Sequence, residues 1–237
     1  KHPNRLYSLD KEYEATKVPK KFTVKTPKLD GACVVNHLNH GESVAILSRG
    51  DGLNGENISY LTKDLFPQFN IDREEFQGLI SIVCEGVTFQ EVDNYRNYVA
   101  GALNLKDKKE FLSRKIELVV HDVLGVELSY TERLEYMHQL GMMTVLHDQE
   151  KLKAIPQDGW VYRVDSYEDE QKLGHTSKHP KYAVALKQRA TETAETILKE
   201  VIWSIGRTGM VNPTGIVEPV IIGGATVSRL TLHNIAF

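Results

Sequence analysis

The feature that most constrains this chain is a recurrence of short apolar stretches rich in β-branched residues. They lie at 22–26, 32–38, 43–47, 79–83, 116–120, 160–164 and 182–186, and each is cut off by glycine or charge. Runs of that length bounded by turn residues predict strands. Asn39-His40-Gly41, between the second and third runs, is a hairpin signal. Helical texture is predicted from Ile58 onward, over 91–105, and over 131–140, where Leu134, Met137 and Leu140 share a face and Gly141 ends the pattern. The layout predicts an α+β fold of mainly antiparallel sheets with flanking helices. Residues 191–199 read as a helix or as a linker plus strand, and from 200 onward short strands with Gly and Pro turns suggest a small β-barrel. Two domains are therefore expected, 1–192 and 193–237, the second too short for a complete five-stranded barrel.

Apolar residues are 41% of the chain and charged residues 26%, which excludes wholesale disorder. A formal charge of −3 does not announce a nucleic-acid binder, but a DNA enzyme needs only a local basic surface. No apolar run approaches a membrane span and the start, Lys1-His2-Pro3-Asn4-Arg5, lacks the apolar region of a signal peptide, so a soluble, cytoplasmic chain with no membrane contact is expected. Cys33 and Cys84 sit inside apolar runs and are expected to be buried and unreactive. His175 and His179 are four apart, but Pro180 discourages a helix there, and no metal ligands are assigned.

The candidate chemistry centres on Lys28-Leu29-Asp30-Gly31, placed after one predicted strand and before another. Lysine is a nucleophile toward phosphorus once its amine is deprotonated, and the glycine permits close approach of a nucleotide. Alone, the string is ordinary turn chemistry. Its ordered company is more telling. Arg49-Gly50-Asp51-Gly52 opens a loop reaching Gly55-Glu56, Glu85-Gly86 closes one apolar run, Asp158-Gly159-Trp160 opens another, and Lys187 ends a third. Charged groups at several strand ends aimed at one place are what holding a ribose and phosphate requires.

These strings closely resemble the NAD⁺-dependent DNA ligases, members of the covalent nucleotidyltransferase superfamily. The resemblance also takes in Leu6-Tyr7-Ser8-Leu9-Asp10, Asn94-Tyr95-Arg96, residues 173–183, and a family-specific set, Gly206-Arg207-Thr208-Gly209-Met210, Glu218-Pro219-Val220 and Val227 to Asn234. It implies a nucleotidyltransferase (adenylation, ATP-grasp-like) domain at 1–192 followed by the first part of an OB-fold. By that resemblance Lys28 takes AMP from NAD⁺ with Mg²⁺ present and passes it to the 5′-phosphate of nicked double-stranded DNA. Lys187 holds the α-phosphate, Glu85 the ribose hydroxyls, and Asp30 and Arg49 position nucleotide and nick. Ser8, Leu9 and Leu29 border the nucleotide, and adenine lies between His121 and Val161. Arg96 and Arg207 are the implied DNA contacts, with Lys115, Lys178 and Lys181 as further phosphate partners.

Four positions depart from the family pattern. Thr26 replaces glutamate and Arg163 replaces lysine, both near the adenine edge in the family, so an altered but coherent base contact is expected. His121 stands for tyrosine and Asn104 for arginine. The nicotinamide-side, zinc and helix-hairpin-helix modules lie outside the sequence, which suggests a second subunit, a C-terminal continuation, or a reduced viral ligase acting in the host cytoplasm. An ATP-using nucleotidyltransferase and an inactive DNA-binding or assembly subunit are the alternative readings.

Overall fold

The computed structural model describes residues 1–187, 193–206, 209–222 and 225–232. Its strands are β1 (Asp10–Glu12), β2 (Val24–Leu29), β3 (Ala32–Asn39), β4 (Glu42–Ser48), β5 (Leu79–Thr88), β6 (Ile116–Leu124), β7 (Met143–Thr144), β8 (Gln157–Arg163), β9 (Ala183–Leu186), β10 (Leu198–Ile205), β11 (Val211–Ile222) and β12 (Ala225–Thr231). The α-helices are α1 (Ser59–Thr62), α2 (Tyr95–Leu103), α3 (Lys108–Ser113), α4 (Tyr130–Gln139), α5 (Gln149–Leu152) and α6 (Tyr167–Leu173). The chain divides into two compact units, Lys1–Gln188 and Arg189–Phe237.

The first unit is α+β, with a five-stranded sheet ordered β4-β3-β5-β6-β7 and a four-stranded sheet ordered β1-β9-β8-β2. Pairing is antiparallel except for β1 with β9 and β6 with β7. Strands β3 and β4 join through a two-residue turn, His40 and Gly41, both at positive φ, as the hairpin signal requires. One face of the five-stranded sheet carries the main core. Ile80, Ile82 and Cys84 of β5 alternate into it and meet Val99 and Ala102 of α2 and Leu134 and Met137 of α4. A capping box between Ser129 and Glu132 starts α4, and Gly141 follows its last turn.

Several elements differ from expectation. The predicted helix over 91–105 is only α2, because the Asn94 side chain accepts from the Asn97 amide and starts the helix there. The helix from Ile58 is a single turn running into a 3₁₀ turn. Strands β5 and β6 outrun their apolar stretches and carry Glu85, His121 and Asp122 in their interiors, since ladder hydrogen bonding, not polarity, decides where a strand stops.

The second unit is an antiparallel meander, β10-β11-β12, with register shifts near Leu198 and between Ile216 and Val220. Among residues 191–199 the described part is irregular until β10 begins at Leu198. No helix among the described residues is long and apolar enough to cross a membrane.

Candidate active site

Between the two sheets of the first unit lies a cleft of about 600 Å³. Strand alternation supplies its walls. On the four-stranded sheet Thr26 and Lys28 of β2, Val161 and Arg163 of β8, and Ala183 and Ala185 of β9 line it, with Lys187 just beyond β9. Thr26, Val161 and Ala185 are aligned across the strands. The opposite sheet contributes Cys33 of β3, Val83 and Glu85 of β5, and His121 and Asp122 of β6.

At one end two ammonium groups share a carboxylate. Lys187 Nζ lies 2.6 Å and Lys28 Nζ 3.2 Å from Asp158 Oδ2. The meeting depends on a register irregularity: Pro27 pairs with Trp160 and Leu29 with Gln157, so Lys28 faces the Asp158-Gly159 step. Burial alone would raise the Asp158 carboxyl, but the hydrogen bond from Lys187 and the nearby charge of Lys28 hold it below the usual range.

Glu85 stands across the cleft from this pair, and its Oε1 accepts the Gly31 N–H at 3.0 Å. Burial drives its carboxyl up to about 7, against the pull of Lys28 and Arg96. The sequence reading gave Gly31 to nucleotide approach. The structure gives another reason: a Cβ there would stand 2.0 Å from the Gly86 carbonyl oxygen, so the glycine lets the turn close onto β5.

The other end is framed by aromatic rings and a buried four-charge network. A bulge in β6 leaves His121 without a partner between the Val120–Cys84 and Asp122–Val83 pairs. Two consecutive side chains, His121 and Asp122, therefore both line the cleft. Burial pushes the His121 ring down to about 4, so it is neutral at pH 7. Arg163 Nη1 donates to Asp122 Oδ2 at 3.0 Å and its Nη2 to Glu170 Oε1 at 2.6 Å. Arg133 Nη2 donates to both Glu170 oxygens at 2.8 Å, and its Nη1 donates to the Val123 carbonyl at 2.9 Å. The Arg163 guanidinium also stacks 3.8 Å from the centre of the Tyr130 ring.

The fold thus brings Ser8, Leu9, Lys28, Leu29, Arg49, Glu85, Arg96, His121, Val161, Arg163 and Lys187 to one cleft. Asp30 is not a lining residue, and its carboxylate is held at 2.8 Å by Arg96 Nε. Arg49 Nη2 donates to Ser8 Oγ at 2.6 Å. Arg207 and the Gly206-to-Met210 string's Thr208 lie outside the described residues, as do His233 and Asn234. Cys84 is buried as expected, but Cys33 is only half-buried because its place on β3 faces the cleft, where burial and Glu85 push its thiol up. The sequence reading missed Asp122, Asp158 as a shared ion partner, and Tyr130 and Tyr182. For Asp122 the signal was a pair of polar residues, His121-Asp122, at the end of an apolar run, and for Asp158 its place at the start of another.

The chain is similar to known proteins along most of its length. Residues 195–237 match the family model for the NAD-dependent DNA ligase OB-fold domain. A DNA ligase of Aquifex aeolicus is 32% identical across 88% of this chain and 35% of its own length. DNA ligases of Alkaliphilus oremlandii and Brevibacillus brevis are 31% and 32% identical, across 99% and 87% of this chain and 40% and 36% of theirs. The chain spans 35–40% of the length of these curated relatives.

Proposed function

From its relationship to the NAD-dependent DNA ligases, we propose that this chain is an adenylating core whose first unit is a covalent nucleotidyltransferase domain, with NAD⁺ as the AMP donor. Lys28 Nζ, in its neutral form, attacks the α-phosphorus. A phosphorus–nitrogen bond forms, the bond to the nicotinamide mononucleotide oxygen breaks, that oxygen leaves with the electron pair, and the nitrogen releases its surplus proton to solvent. AMP then passes to the 5′-phosphate at a DNA nick, and the neighbouring 3′-hydroxyl displaces it.

The observation that carries this reading is that Lys28 and Lys187, which line one cleft with Glu85 opposite, share the Asp158 carboxylate. Negative charge accumulates on the phosphoryl oxygens during each transfer, and Lys187, a cation held in place by Asp158, meets it without solvent reorganisation. Glu85, once ionised, accepts from ribose hydroxyls. The neutral His121 ring and Val161, on opposite walls, offer flat and apolar faces to a purine. Asp30 acts through Arg96 and Arg49 through Ser8, both beside the phosphate path.

Among the described residues no three His, Cys, Asp or Glu side chains converge as a metal cage. Mg²⁺ keeps waters and substrate phosphate oxygens and asks the protein for one or two carboxylates; Asp158, which contacts both lysines, is the residue that would hold it. When bound, Mg²⁺ would neutralise developing phosphate charge. Arg96 is the proposed DNA phosphate contact within the described residues.

The test is incubation of the chain with Mg²⁺ and NAD⁺ or ATP labelled in the adenylate. An acid-labile adduct on Lys28 from NAD⁺, absent in Lys28→Ala, is expected. An adduct from ATP alone would reassign the donor, and an undiminished label in Lys28→Ala would remove the mechanism.

A further inference from the structure

Resting on the reading of the cleft as an adenylate site, we propose that Asp122 selects the base, accepting the exocyclic amino group of adenine and rejecting a 6-oxopurine, while Arg163 and Arg133 are positioning residues that fix it.

The argument begins with the bulge in β6. Regular alternation would turn either His121 or Asp122 into the cleft, and the bulge turns both. A flat ring that a purine can stack on and a carboxylate that can meet the purine's edge are thus adjacent on one strand. The backbone there is pinned, because the Tyr130 hydroxyl donates to the His121 carbonyl at 3.0 Å.

Acceptor capacity points the same way. An ionised carboxylate offers about four lone-pair sites. Asp122 Oδ1 accepts from the Val123 amide at 2.9 Å, and Oδ2 from Arg163 Nη1 at 3.0 Å. Arg133 Nη1 is 3.7 Å from Oδ1, an ionic contact beyond hydrogen-bond length. Each oxygen therefore keeps acceptor capacity, and the side chain is 16% exposed, toward the cleft it lines. Burial would raise this carboxyl, but Arg163 and Arg133 hold it below the usual range, so it is an acceptor and not a donor at neutral pH.

The neighbours are otherwise engaged. Thr26 is 2% exposed and lies beside the Tyr130 hydroxyl. Arg163 is 4% exposed, clamped by Asp122 and Glu170 and stacked on Tyr130. Glu170 receives both guanidiniums, which prevents Arg163 from turning toward a ligand. A 6-amino group brings a donor to the free acceptor. A 6-oxo group brings a second acceptor, and two sets of lone pairs then face each other in a dry site.

The experiment measures binding of AMP and IMP to the full chain by titration calorimetry. In parallel, Lys28 labelling from NAD⁺ is compared with labelling from its hypoxanthine analogue. Wild type should prefer adenine by about tenfold or more, the usual penalty for a mismatched charged hydrogen bond. Asp122→Asn presents an amide that can donate, and should bring the two donors to within about threefold, or reverse them. A folded Asp122→Asn that keeps the wild-type preference would overturn the proposal. Should that variant fail to fold, Asp122→Glu retains the charge for both arginines while displacing the carboxylate. It should weaken AMP several-fold and narrow the preference over IMP, and an unchanged preference would likewise overturn the assignment. Equal use of adenine and hypoxanthine by wild type defeats this inference alone, whereas absence of any nucleotide binding or label defeats the adenylation reading with it.

Discussion

Burial pushes the Glu85 carboxyl up to about 7, so across neutrality this side chain exchanges its proton while an ordinary glutamate near 4.5 has already lost it. Two opposite consequences follow. Between about 4.5 and 7 the folded chain holds a proton that the unfolded chain has released, so the stability contributed by the neutral form is full below that window and is lost as pH rises through 7. Ribose recognition by the ionised form runs the other way, and Lys28 labelling at low NAD⁺ should rise through pH 7. Glu85→Gln should label slowly and lose that rise, checked by single-turnover labelling from pH 6 to 8.5. Asp158 makes a second prediction at this scale. Without the shared carboxylate, Lys28 and Lys187 lose the partner that fixes both, and Asp158→Asn should slow labelling about a hundredfold through misplacement. Because all three side chains are partly exposed, its melting temperature should stay near wild type.

At the scale of elements, strand β8 does more than fill a sheet. Its start carries Asp158 and Gly159, and Gly159 sits at φ +126° with its missing Cβ 2.2 Å from the Leu186 carbonyl oxygen. Any side chain there pushes β8 off β9, one residue from Lys187. Gly159→Ala should therefore cost about 1–3 kcal/mol, seen as a lower urea midpoint, and should lower labelling as well. The bulge in β6 is the other element that makes the site, since without it His121 and Asp122 would face opposite sides. Of the ends of α4, the sequence reading used only the stop at Gly141; the Ser129–Glu132 capping box that starts the helix is seen in the structure. No comparable string announces that β5 continues past Glu85, because the polar residue is accommodated by a cleft rather than by a turn.

At the scale of the first unit, Asp122, Arg133, Arg163 and Glu170 connect β6, α4, β8 and α6 through buried charge. Two guanidiniums and two carboxylates balance only while all four remain. Glu170→Ala leaves both arginines, about 95% or more buried, with Asp122 as their one carboxylate among these four residues, and should cost about 3–5 kcal/mol in urea unfolding. A loss below about 1 kcal/mol would mean that the network contributes little to stability.

The sequence by itself determined the strand-and-helix texture of the chain and the chemistry on offer, because those depend on neighbours within a few residues. Alternation already places Thr26 with Lys28 on one side of β2, and Ala183, Ala185 and Lys187 along one line. The short apolar runs and Gly/Pro turns from 200 onward are likewise local signals. Tertiary structure alone decided which charges share a partner. Lys28, Asp158 and Lys187 are far apart along the chain, and a register irregularity in β2 and β8 is what brings their side chains within hydrogen-bond reach. It also decided that Arg163 is committed to Asp122 and Glu170, and that Asp122 faces the cleft. Those outcomes follow from ladder slips and close backbone approaches, which are set by the packing of segments distant in sequence and leave no periodic trace in it.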